Sequence, residues 1–147
     1  MNVLRHITCH SSIYWQHPAA ILKLQDAEVD LEELFTGEGN NPDIVRISEH
    51  HLSVNELCTF SMIEYNMTTG FSWHIYKNGG VCILVKDNIL YQVLDFSSFS
   101  IDRIFEACAI KITINKVKLC IMCLYRAPDG DLNQLIEQLD AMLQHLW

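Results

Sequence analysis

Between Ala107 and Leu146 the apolar residues change their spacing from two, to nearly continuous, to three and four, and few folds accommodate that order. In Ala107-Cys-Ala-Ile-Lys-Ile-Thr-Ile114, Ile110, Ile112 and Ile114 fall on one side and Lys111 and Thr113 on the other. That alternation is a strand of a sheet with one wet face. Asn115-Lys116 separates it from Val117–Tyr125 at the two-residue spacing of a β-hairpin. Lys118–Leu124 is almost wholly apolar, which predicts a central strand buried on both faces. After the turn Tyr125-Arg-Ala-Pro-Asp-Gly-Asp131 the period becomes helical. Leu132, Leu135, Ile136, Leu139, Met142, Leu143 and Leu146 mark an amphipathic helix that Asp131 caps.

The rest of the chain follows the same logic with weaker signals. Asp43–Ser48 is a short run of branched residues after the turn signal Asn40-Asn41-Pro42. Ser72–Tyr76 and Val81–Val85 flank Lys77-Asn78-Gly79-Gly80, which predicts a hairpin whose glycines take positive φ, and Ile89–Leu94 extends this meander. A helix is expected from Gln25 to Phe35, where Val29, Leu31, Leu34 and Phe35 lie among carboxylates and Gly37 and Gly39 would end it. Residues 1–24 form a divergent N-terminal segment with mixed signals, and residues 25–147 read as one unit. The expected class is mixed α/β, a layered domain with a largely antiparallel sheet and flanking helices.

Composition limits the setting. The 147 residues are one domain's worth of chain, half apolar and 19% charged, which favours a folded globule over a disordered one. No apolar run reaches the length of a membrane helix, and no secretion signal opens the chain, so we expect an intracellular protein of nucleus or cytoplasm with no membrane partner. Of six cysteines, Cys82, Cys108, Cys120 and Cys123 lie in strand-like runs and are expected to be reduced core thiols. Cys120 and Cys123 have metal-site spacing, but a strand turns i and i+3 to opposite faces. His6, Cys9 and His10 offer three soft ligands without a fourth nearby.

The net charge is -8, yet most basic residues stand between Lys77 and Arg126. A phosphate-binding face, if present, draws on that middle third.

Four motifs in order carry a resemblance. Pro42-Asp-Ile-Val-Arg-Ile-Ser-Glu-His-His-Leu52 is similar to the strand that delivers a metal-ligating Glu in the endonuclease/exonuclease/phosphatase superfamily. Gly79-Gly80-Val81-Cys82-Ile83-Leu84-Val85 looks like the next glycine-led strand, Phe105-Glu106 and its alternating continuation like the one after. Leu124-Tyr125-Arg126-Ala127-Pro128 resembles the family's tyrosine element. The Ser-Glu-His-His-Leu and Tyr-Arg-Ala-Pro forms are most similar to endonuclease domains of non-LTR retrotransposons.

The resemblance implies a partial four-layer α/β sandwich and Mg²⁺- or Mn²⁺-dependent cleavage of a DNA phosphodiester. It implies Glu49 as metal ligand and Tyr125 as hydrogen-bond donor to the scissile phosphate. Arg126 would pair with phosphate or stand as an ordinary surface arginine. His50 and His51 are expected as solvated imidazoles beside Glu49.

Other family elements are missing. The Asn expected near Ile21–Leu24 is absent, and Asn2 lies too far upstream to supply it. Gly130-Asp131-Leu132-Asn133 opens a helix and only mimics the family's G-D-x-N strand. The terminal S-D-H element is also missing. The resemblance therefore implies a truncated domain, inactive alone, whose open sheet surface invites self-association. Arg46, at a strand position where an apolar residue is expected, adds a costly guanidinium. The reading from another class is a non-catalytic α/β interaction protein or a pseudogene remnant.

Overall fold

The computed structural model describes the backbone at 7–8, 14–16, 19–23 and 28–29, and whole residues at 42–74 and 79–146. The protein is mixed α/β, and its core is two sheets packed face to face. In chain order the strands are β1 (Ile7–Thr8), β2 (Tyr14–Gln16), β3 (Ala19–Lys23), β4 (Glu28–Val29), β5 (Ile44–Ser48), β6 (Tyr65–Phe71), β7 (Val81–Lys86), β8 (Tyr91–Leu94), β9 (Phe105–Ile114) and β10 (Val117–Arg126). The helices are α1 (Val54–Cys58) and α2 (Leu132–Leu146), with a 3₁₀ turn at Ser97–Phe99. One sheet has the order β2-β3-β5-β7-β6, the other β10-β9-β8, and β1 pairs with β4.

Burial follows the period-two rule. On β5, Val45 and Ile47 face outward to meet Leu57 of α1, with Phe60, Met62, Tyr65 and Leu84. Ile44, on the other face, joins Val81, Ile83 and Val85 of β7 against Cys108, Ile110, Ile112 and Cys123 of the second sheet. Beyond that sheet, Phe105, Ala107 and Ala109 pack with Leu135, Met142 and Leu146 of α2. The layers are helix, sheet, sheet, helix, so both faces of β7 and β9 find apolar partners.

The hairpin at Asn115-Lys116 forms as its spacing predicts. The β9–β10 register runs from Ile114 opposite Val117 to Phe105 opposite Arg126. Both turn residues take positive φ, 50° and 67°, matching the right-handed twist of the strands. A lysine side chain is strained there, so Lys116→Gly is expected to stabilise the protein by about 0.5–1 kcal/mol. An unchanged or lower urea midpoint would contradict this.

Other expectations need correction. Among the described residues Lys118–Leu124 lies at the edge of its sheet, paired with β9 alone, and is largely exposed. An apolar run records composition and not the number of neighbours a strand acquires. The strand that pairs with β7 on this side is Tyr65–Phe71, and Ser72–His74 is not strand; residues 75–78 of the expected hairpin lie outside the described ones. A bulge between Met67 and Thr69 breaks the alternation that would have exposed β6 in the sequence. Tyr91–Leu94 does not extend that meander. It crosses to the other sheet and pairs with β9. Glu28–Val29 is strand, so no unbroken helix spans 25–35, and the remaining residues of that expectation lie outside the described ones. Cys120 is exposed, unlike the buried Cys82, Cys108 and Cys123.

Helix α1 is announced by Ser53-Val-Asn-Glu56, a capping box. The Ser53 hydroxyl accepts the Glu56 N–H at 3.3 Å, and the Glu56 carboxylate accepts the Ser53 N–H at 2.8 Å. Asp131 caps α2 by accepting the N–H groups of Asn133 and Gln134 at 2.7 and 3.1 Å.

Candidate functional site

Strands β5 and β10 run side by side, one from each sheet, and three contacts at a constant separation of 76 residues tie them together. The Arg46 guanidinium donates to the Met122 carbonyl at 3.1 Å. The Cys123 thiol donates to the Ile47 carbonyl at 3.4 Å. The Tyr125 hydroxyl donates to the Glu49 carboxylate. Arg46 therefore crosses the interface between the sheets and is partly satisfied, although its Nε has no partner. Its cost is lower than a guanidinium buried without any acceptor would carry.

Glu49 leaves β5 in a left-handed conformation, φ 59°, and His51 repeats it at φ 56°. The glycine turn before β7 holds this bend in place. The Glu49 N–H donates to the Gly80 carbonyl at 2.7 Å and the His51 N–H to the Gly79 carbonyl at 2.9 Å. Non-glycine residues at positive φ cost of the order of 1 kcal/mol each and persist where surrounding contacts over-determine them. Here the bend turns the Glu49 carboxylate toward β10.

His50 is buried, which corrects the expectation of a solvated imidazole. Its Nδ1 accepts the Leu52 N–H at 3.0 Å, so the proton lies on Nε2, which donates to the Phe71 carbonyl at 3.0 Å. Burial pushes its pKa down to about 4, and the ring is neutral near pH 7. With both nitrogens committed to backbone groups, His50 is a structural wedge and no phosphate contact. Gly80, at φ +90°, lies against this ring, where a Cβ would overlap it.

Glu106 is the site residue that sequence reading did not assign. Only 1% of it is exposed. One carboxylate oxygen accepts the Gly80 N–H at 2.6 Å and the other the Trp73 indole N–H. Burial raises its pKa to about 7, against the lowering effect of both N–H donors, with the charges of Asp102 and Glu49 adding to the rise. A signal existed: the alternation that sends Ile110 and Ile112 inward, extended back, sends Cys108 and Glu106 inward too. Trp73 carried no comparable pattern. His74, next to it, donates its backbone N–H to Asp102 at 3.1 Å, a second tie to the region before β9.

Tyr125 stands opposite Glu106 in the β9–β10 register and beside Glu49 across the interface. Burial, then the Glu49 carboxylate, pushes its ionisation well above the ordinary phenol range, so it stays a hydrogen-bond donor. Arg126 is not brought to this point. It is exposed, and its Nη1 donates to the carbonyls of Gly130 at 2.8 Å and Pro128 at 3.4 Å, bracing the turn before α2.

The parallel register of β3 with β5 sets Lys23 alongside Ser48, next to Glu49, with no asparagine in β3. His6, Cys9, His10 and Asn2 lie outside the described residues. Among the described residues no group of three His, Cys, Asp or Glu side chains is disposed to hold a metal. Nor, among them, is any helix long and apolar enough to cross a membrane. No protein-family model matches this chain, and no match to it was found among curated proteins.

Proposed function

We propose that this chain is a domain of the metal-dependent phosphodiesterase type, similar to non-LTR retrotransposon endonucleases, that does not cut DNA on its own. One observation carries the reading. Glu49 and Tyr125, 76 residues apart and singled out by separate motifs, meet in one hydrogen bond between the two sheets.

The donor set bears on what cation fits. Both Glu106 oxygens are taken by N–H donors, which leaves Glu49 as the carboxylate ligand. A hard dication such as Mg²⁺ or Mn²⁺ tolerates this, because it keeps several waters and takes the rest of its shell from substrate phosphate. When bound, it would neutralise charge developing on the phosphoryl oxygens. The chain's own part is to fix the Glu49 carboxylate through the 49–51 bend and to hold Tyr125 protonated as a phosphate donor. DNA as partner is supported by the β9–β10 hairpin, where Lys111, Lys116, Lys118 and Arg126 occur without any acidic residue from Ala107 to Arg126.

Residues that act as a unit lose most of their effect when one is absent, and β3 brings no asparagine beside Glu49. The 147-residue chain is therefore expected to leave supercoiled plasmid intact in Mg²⁺ or Mn²⁺. Nicking lost in Glu49→Gln would overturn the inactivity and keep the nuclease class. The non-catalytic interaction reading has its own support in the near-complete burial of Glu49, 5% exposed beneath Tyr125. Titration calorimetry with Mn²⁺ separates the two. Heat that disappears in Glu49→Gln supports the phosphodiesterase reading, and no Glu49-dependent binding sinks it.

A further inference from the structure

Strand β10 is ten residues long, and among the described residues β9 pairs with one of its edges and no strand with the other. Val117, Leu119 and Leu124 are exposed on it. Helix α2 has a matching defect. Leu135, Met142 and Leu146 face the core, while Leu132, Ile136 and Leu143, 57%, 55% and 40% exposed, form a second apolar stripe with the half-buried Leu139. This stripe lies nearly half a turn round the helix from His145, whose ring meets Phe96 and Phe99. It therefore points away from the 3₁₀ turn. A long strand edge and an uncovered helical stripe in adjacent layers are a template for another chain.

We infer that the occupant is a second copy of this chain, joined across a two-fold axis that pairs β10 with β10 and α2 with α2. Opposed residues in an antiparallel pair share a face, so the axis must pass through a residue of β10. An axis at Met122 sets Lys118 against Arg126 within the paired strands, whereas an axis at Ile121 moves the lysine opposite Arg126 out to Lys116, in the turn. An axis at Ile121 sets Val117 against Tyr125, Lys118 against Leu124, Leu119 against Cys123 and Cys120 against Met122.

The helix is self-complementary in the same sense. Leu132, Ile136, Leu139 and Leu143 are spaced four, three, four. An antiparallel pair therefore matches Leu132 with Leu143 and Ile136 with Leu139 of the second copy. Met122, beside the strand's midpoint, and Leu135, on the helix, pack against one cluster that holds Met142, so strand and helix approach each other near their middles.

Charge favours the same arrangement. Antiparallel pairing lays the Lys116–Lys118 end of one β10 beside the turn that follows the other, where Asp129 and Asp131 are exposed. Arg126 does not cancel this, because its guanidinium is turned back onto that turn's own carbonyls. Base meets acid on both sides of the axis, which fixes the orientation and excludes the parallel alternative.

The inference depends on neither the cation nor the nuclease reading. Sedimentation velocity of the whole chain is expected to give a species of twice 16.9 kDa. Lys116→Glu with Lys118→Glu sets acid against acid at both contacts, and Asp129→Lys sets base against base. Each variant is expected to dimerise about tenfold more weakly. These positions are exposed, so circular dichroism should stay unchanged. An equimolar mixture of the two variants restores both contacts and should recover the dimer. A monomeric wild type, open-ended aggregates, reversals without effect, or a mixture no tighter than its parts would each overturn the inference.

Discussion

Gly80→Ala is expected to lower stability by about 3–5 kcal/mol, a large share of the 5–15 kcal/mol a domain of this kind possesses. Two causes add. The residue sits at φ +90°, which a side chain adopts only with strain, and its new Cβ would overlap the His50 imidazole. The ring has little room to yield, because it is buried and bonded to the Leu52 N–H and the Phe71 carbonyl. Moving it leaves a buried donor and acceptor unpaired. The Glu49 and His51 N–H bonds to the glycine turn would be disturbed as well, so the bend that presents Glu49 goes with the fold. Urea denaturation of the single and double variants tests the steric part. His50→Ala should make Gly80→Ala less costly by more than 1 kcal/mol than it is in the wild type. Strict additivity would show that the ring is not the obstacle.

The second large effect is a pH dependence hidden in the wild type. Glu106 has its folded pKa raised from 4.5 to about 7, so the folded state favours the protonated acid. Its contribution is full below the unfolded value and is lost as pH rises from about 4.5 to 7, a change of about 3 kcal/mol. His50 runs the other way. Its folded pKa is depressed from 6.5 to about 4, and the contribution present above 6.5 is lost as pH falls toward 4, again by about 3 kcal/mol. The two slopes oppose each other over nearly the same window, and their sum is almost flat.

Glu106→Gln removes one of them. The amide presents a donor to the Gly80 or Trp73 N–H, so the variant is less stable at pH 4.5. The stability difference from wild type should then shift in the variant's favour by about 3 kcal/mol between pH 4.5 and 7.5. Paired urea titrations in EDTA measure it without interference from bound metal. A difference that stays constant across this range would show that the buried carboxyl does not titrate there.

Several parts of this protein were legible residue by residue. The β9–β10 hairpin and α2 are written in local terms, since alternation, a two-residue turn and a three-four repeat each depend only on near neighbours. Asp131 as a helix cap follows from the same short-range chemistry, which also distinguishes Gly130–Asn133 from a G-D-x-N strand. The capping box Ser53–Glu56 is equally local. What could not be read was which sheet each strand joins. Tyr91–Leu94 has the same composition whether it follows β7 or pairs with β9. Lys118–Leu124 is as apolar at an edge as at a centre. The family resemblance alone proposed Glu49 and Tyr125, but it gave no reason to set Arg126 apart from Tyr125. That separation follows from the strand's alternation combined with the position of the turn before α2.

By itself the chain determined its local geometry: where it alternates, where it coils, where glycine must bend it, and that one carboxylate ends β5 after an apolar run. Tertiary structure alone decided that Tyr125 closes over that carboxylate, that Glu106 anchors the glycine turn beneath it, and that His50 is a wedge. The physical reason is range. Backbone conformation is set within a few residues by sterics and hydrogen bonding, whereas burial and proton affinity depend on groups brought together across 26 to 76 positions by two sheets choosing their faces.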